Sequence, residues 1–83
     1  MASENPRLGY SEVELRSYLP SGWGLRPGGA ESWDAKKRIW SIEVYDSADN
    51  LWPLQVSARD AEDAGRLEAL RKSVDRLYRI ALA

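Results

Sequence analysis

Residues 38–56 read RIWSIEVYDSADNLWPLQV, and their period of two decides the fold. Trp40, Ile42 and Val44 alternate along one run and Trp52, Leu54 and Val56 along a second, with the segment Ser47-Ala48-Asp49-Asn50 between them. Two alternating runs joined by a short polar link predict paired antiparallel strands, over about 38–46 and 51–57, with one apolar face. The opposite face carries Ile39, Ser41, Glu43 and Tyr45, then Leu51, Pro53 and Gln55, and is mixed in character. Pro53 cannot donate to a ladder, so its position is expected at an edge or bulge, with the missing N–H turned away from a neighbour.

On the C-terminal side, Ser57 followed by Asp60 reads as a helix start, and Asp60, Glu62 and Asp63 place negative charge at the positive end of the helix dipole. Gly65 interrupts the pattern. Beyond it Leu67, Leu70, Val74, Leu77 and Ala81 recur at spacings of three and four, an apolar stripe suited to one face of the sheet. The outer face of this long C-terminal helix holds Glu68, Arg71, Lys72, Asp75, Arg76 and Arg79.

On the N-terminal side, Ser11 and Glu14 have the spacing of a capping box, which predicts a short helix over about 11–19 that Pro20 ends. Residues 22–26, GWGLR, show a weaker alternation and are expected to form a first strand that puts Trp23 and Leu25 on one side. The mostly polar stretch 30–37 reads as a loop or turn. Residues 1–9 have the composition of a flexible terminus. The expected organisation is therefore a flexible 1–9 and a single domain over 10–83. Its class is α+β: a helix, a three-stranded antiparallel sheet, and a long C-terminal helix packed on one sheet face.

With 83 residues, of which 43% are hydrophobic and 30% charged, the chain has the size of one compact domain. Twelve basic and thirteen acidic side chains give a net charge of −1, so no global field gathers polyanions or anionic lipid. The absence of cysteine removes disulfides and thiolate chemistry, and the absence of histidine removes the commonest general base and metal ligand. The opening MASENPRLGY lacks the basic start and apolar run of a signal peptide, and the expected location is cytoplasmic.

Four groups of residues bear on function. Lys36, Lys37 and Arg38 lie near Trp33 and Trp40 in sequence, and a fold that brings Arg26 beside them would complete a group able to grip phosphate while a ring stacks on a base. A basic turn is also simply a solvated one. The C-terminal helix carries Arg66, Arg71, Lys72, Arg76 and Arg79, of which Lys72, Arg76 and Arg79 lie close together and with Arg71 would make a small positive surface, though ordinary solvation explains them as well. Asp46, Asp49 and Glu43 offer oxygen ligands at the hairpin tip. They lack the glycine and terminal glutamate of a calcium loop, and turn chemistry explains them without a metal. Ile39, Tyr45, Leu51 and Pro53 on the open sheet face, with Tyr78, Ile80 and Leu82 off the helix stripe, exceed what one small core needs.

The surplus apolar surface points to a small non-enzymatic interaction module, self-associating through the open sheet face or the C-terminal helix, with Ile39, Glu43, Tyr45 and Leu51 as partner-binding residues. A homodimer is the simplest such assembly. The alternative is nucleic-acid binding through Arg26, Lys36, Lys37, Arg38, Lys72, Arg76 and Arg79. The order helix, three strands, helix resembles that of double-stranded-RNA-binding domains at the level of fold, without their lysine-rich helix start. No cofactor, metal, small-molecule ligand or membrane is implied, and the chain is read as no enzyme. Catalysis here would fall to Glu43 and Tyr45 beside Lys37. Replacing a large core aromatic should be severe: Trp52→Ala is expected to lower stability by about 3–5 kcal/mol, checked by thermal melting of the soluble variant.

Overall fold

The computed structural model describes residues 7–26 and 31–82. Along the chain come α1 (Glu12–Tyr18), β1 (Gly24–Leu25), β2 (Ser32–Asp34), β3 (Ile39–Tyr45), β4 (Leu51–Ser57), α2 (Ala58–Ala64) and α3 (Arg66–Leu82). The class is α+β, with the C-terminal helix packed on an antiparallel sheet. That sheet has four strands rather than three, and the C-terminal helical region is two helices.

β3 is the strand to which the others pair. Its full length matches β4 from Ile39↔Ser57 to Tyr45↔Leu51. On its other edge β1 meets Tyr45 and Val44, while β2 meets Ser41, Trp40 and Ile39. The core face alternates as expected: Trp40, Ile42, Val44, Leu54 and Val56 are buried. Leu25, opposite Val44, is drawn into the same layer.

The additional strand lies inside the stretch read as a loop. Ser32, Trp33 and Asp34 show no recognisable alternation, because only one of the three is apolar. Trp33 faces Trp40 with ring centroids 4.5 Å apart, and this contact anchors β2. The Asp34 side chain accepts from the backbone N–H groups of Lys36 and Lys37 at 3.0 and 3.1 Å, which closes the turn into β3.

Pro53 sits opposite Glu43. The Glu43 carbonyl accepts from the Arg26 N–H on the β1 side, so this residue's backbone groups point away from β4. The proline nitrogen therefore faces the outer edge of β4, where among the described residues no strand pairs. An edge strand with proline at its centre resists extension by another strand.

Ser57 caps α2, accepting from the Asp60 N–H, and Gly65 ends it at φ 88°. That left-handed backbone suits glycine and breaks the helical region in two. After the break α3 buries Ala69, Leu70, Ser73, Val74 and Leu77. Leu67, expected in that stripe, is 39% exposed, because the small Ala69 and Ser73 occupy the sheet-facing side. The Ser73 hydroxyl donates to the Ala69 carbonyl at 2.8 Å, so its burial leaves no donor unmatched.

α1 begins with the expected capping box: Ser11 Oγ accepts from the Glu14 N–H and Glu14 accepts from the Ser11 N–H. It buries Leu15, and Leu19 follows into the same cluster. Glu14 also receives two hydrogen bonds from Arg66, at 3.0 and 2.8 Å. The same guanidinium donates to the carbonyls of Leu8 and Gly9, each at 2.9 Å, and stands over the Tyr10 ring. The Tyr10 hydroxyl returns a hydrogen bond to the Arg66 carbonyl, and burial pushes its pKa up to about 12. Leu8, inside the stretch read as a flexible terminus, is thereby held in the core at 8% exposure. Residues 1–6 of that stretch, and residue 30 of the expected loop, lie outside the described residues.

Trp52 is only half-buried, at the turn end of β4. The side chains with no exposure in the hairpin are Val44, Leu54 and Val56. Leu54→Ala is accordingly expected to lower stability by about 2–5 kcal/mol, while Leu51→Ala, on the opposite face, changes it by about 0.5 kcal/mol or less. Urea denaturation of the two variants checks the face assignment.

Candidate interaction surface

The open sheet face brings together the residues expected to bind a partner, but not as one patch. Tyr45 and Leu51 are cross-strand neighbours, and Pro53 lies one pair further along. Ile39 is at the other end of β3, about 20 Å away at the rise of a strand. Between them Ser41 faces Gln55, and Glu43 is taken by Arg26, whose Nη1 donates to both carboxylate oxygens at 2.7 and 2.8 Å. The centre of this face is thus polar and ion-paired, with apolar side chains at its two ends. Among these residues Leu51 is 47% exposed, whereas Ile39 and Tyr45 are half-buried.

The basic residues fall into separate places. Arg26 extends from β1 beside the Tyr45 end of β3, and Lys36, Lys37 and Arg38 form the turn at the Ile39 end. Arg38, at φ 55°, donates to Glu62 of α2 at 3.0 Å. On α3, Arg76 meets Asp60 at 3.3 Å and Arg79 meets Asp75 at 3.2 Å. Lys36, Lys37 and Lys72 make no ion pair among the described residues. The sequence of α2, ARDAEDA, has one arginine against three acids. It engages the basic turn through Glu62 and the basic helix through Asp60, so negative charge stands between the two. These exposed pairs add little to stability, yet they diminish the positive potential available to a phosphate backbone.

The acidic hairpin tip is a hydrogen-bonded turn. Asp46 accepts from the backbone N–H groups of Ala48 and Asn50, from Asn50 Nδ2 and from Trp52 Nε1, at 2.8 to 3.0 Å. These donors, the Trp52 indole foremost, hold its pKa at about 2. Asp49 takes a left-handed conformation at φ 64°, and Glu43 is on the open face with Arg26. Among the described residues no group of three or more metal-ligating side chains converges, and no buried side-chain polar atom lacks a hydrogen bond.

Among the described residues, the exposed large apolar side chains are Val13 of α1 at 75%, Leu51 of β4 at 47%, and four residues of α3. Leu67, Tyr78, Ile80 and Leu82 of α3 are 39, 39, 59 and 68% exposed. Beside them an open groove of about 240 Å³ runs between the end of α1 and α3, lined by Tyr18, Pro20, Arg71, Val74, Asp75 and Tyr78. Trp23 packs on Tyr78 at 6.2 Å between ring centroids and steadies the groove wall. The exposed triplet Tyr78, Ile80 and Leu82 is legible in the sequence as surplus to the stripe. The groove is not, since it depends on how α1 crosses α3. No helix among the described residues is long and apolar enough to cross a membrane.

Comparison with protein-family models finds none that matches this chain, and comparison with curated proteins and with solved structures likewise finds no match.

The turn at Asp46 has a measurable acid signature. Asp46 and Glu14, the latter held by Arg66, both sit at about 2, below their ordinary values of 3.8 and 4.5. Over that interval the native state binds fewer protons than the unfolded chain. The stability they contribute is complete above about pH 5 and is lost as pH falls toward 2. Asp46→Asn would turn an amide donor toward donors that now share a carboxylate. It is expected to lower the melting temperature and to flatten part of the acid limb. An acid-denaturation curve unchanged from wild type would dismiss this role.

Proposed function

We propose that this chain is a non-enzymatic interaction module that self-associates through the outer flank of α3. The observation that carries the reading is the exposure of Leu67, Tyr78 and Leu82, which share one flank of that helix; Ile80, also exposed, lies on the other side. Apolar surface gathered on one element favours a contact that removes it from water. The open sheet face is the lesser contributor, because Arg26, Glu43, Ser41 and Gln55 would have to be desolvated at its centre. Pairing through the β4 edge is opposed by Pro53. Nucleic-acid binding draws no support from a basic turn and a basic helix that the acids of α2 divide.

Sedimentation velocity across the micromolar range tests the proposal. Association is expected to strengthen with concentration and to survive moderate salt, since apolar burial rather than exposed charge supplies most of it. A chain that sediments as a monomer throughout, or whose association needs added nucleic acid, overturns it.

A further inference from the structure

Resting on that reading, we infer that two copies pair α3 against α3 in antiparallel fashion, about a two-fold axis near residues 74 and 75. The 17 residues of α3 make a rod about 25 Å long. At 3.6 residues per turn, Leu67, Arg71, Asp75, Tyr78 and Leu82 fall within an arc of roughly 80°, centred about 120° from the stripe that faces the sheet. This second stripe is symmetric about its midpoint. In an antiparallel pair Leu67 of one copy meets Leu82 of the other at both ends, and Arg71 meets Tyr78, a cation over an aromatic face.

The charges match in the same arrangement. The two Asp75 face each other across the axis, and each lies about one helical turn from the other copy's Arg71, so a guanidinium flanks the pair of carboxylates on either side. The atoms for this exchange are available. Arg71 uses Nε and Nη2 on its own Glu68, and among the described residues Nη1 makes no hydrogen bond. Asp75 meets Arg79 through Oδ2 alone. Asp75 meets its own mate in either orientation, but a parallel pair would also set Arg71 beside Arg71, and that second like-charge contact opposes it. The groove walled by Tyr18 and Pro20 gives the second helix a seat along the middle of the stripe, and Tyr78, braced by Trp23, supplies an aromatic anchor there. The contact is isologous and closes at two copies.

The chain has no cysteine, which makes the pairing directly readable. Leu67→Cys and Leu82→Cys alter exposed positions and should leave the fold intact. With a short bismaleimide, a mixture of the two variants is expected to form a covalent link from position 67 of one copy to position 82 of the other. Neither variant alone should link to itself, because the equivalent positions then stand about 22 Å apart. Charge reversal gives a second readout. R71E alone and D75K alone should each weaken association about tenfold or more, and mixing the two variants should restore it. Self-linking of either cysteine variant, or no loss of association on charge reversal, overturns the antiparallel pairing. If wild type self-associates while no link between positions 67 and 82 forms, the pairing falls and self-association stands. If wild type is monomeric, both fall.

Discussion

The register of β3 against β4 is the constraint on which the rest of the molecule depends. A slip of one residue would move Trp40, Ile42 and Val44 to the face now occupied by Ser41, Glu43 and Tyr45, and would expose the surface on which α3 rests. Two features oppose that slip. The alternation itself makes any other register bury polar groups, and the Asp46 turn ties Trp52 to the chain six residues before it through the indole N–H. The turn therefore does more than reverse the chain. By holding an aromatic of the second strand, it sets the starting point from which all seven pairs are counted.

A second constraint acts at longer range. Arg66 opens α3 and reaches back to Glu14, Leu8 and Gly9, residues separated from it by more than fifty positions. Because both the carboxylate and the guanidinium are partly exposed, the ion pair as such contributes modestly. Its planar fork nevertheless satisfies the part-buried carbonyl of Leu8 and reaches the exposed one of Gly9. The arginine thus makes burial of the N-terminal segment compatible with the polar backbone that accompanies it. The position of α1, and with it the groove beside α3, follows from this clasp.

What was legible in the sequence was whatever repeated. The six alternating residues of the hairpin, the Ser11 and Glu14 capping box and the Ser57 cap each carry a local physical signature, and each appears where that signature places it. What escaped depends on contacts between distant residues. Ser32-Trp33-Asp34 is too short to alternate and is a strand only because Trp33 packs on Trp40. Leu8 looks like part of a polar tail until Arg66 and Glu31 satisfy its backbone. Leu67 fits the stripe by spacing, but the break at Gly65 and the preference of the sheet for the small Ala69 and Ser73 rotate it outward. The candidate surface divides in the same way. Tyr78, Ile80 and Leu82 stand out from the stripe by spacing, whereas the loss of Glu43 to Arg26 requires the sheet to bring residues 17 apart together.

The distribution of charge bears on which surface the molecule leaves available. Most arginines on the helices and at the open face are matched locally: Arg16 by Glu12, Arg26 by Glu43, Arg38 by Glu62, Arg76 by Asp60 and Arg79 by Asp75. Close pairing of this kind produces short-range fields that water and salt screen within a Debye length of about 8–10 Å. Recognition of a distant polyanion needs unmatched charge of one sign, while recognition at contact needs groups of both signs in fixed places. The α3 flank has the second arrangement, with a cation and an anion one turn apart between apolar ends. In the pairing proposed above, a partner shifted by one turn would leave a leucine uncovered.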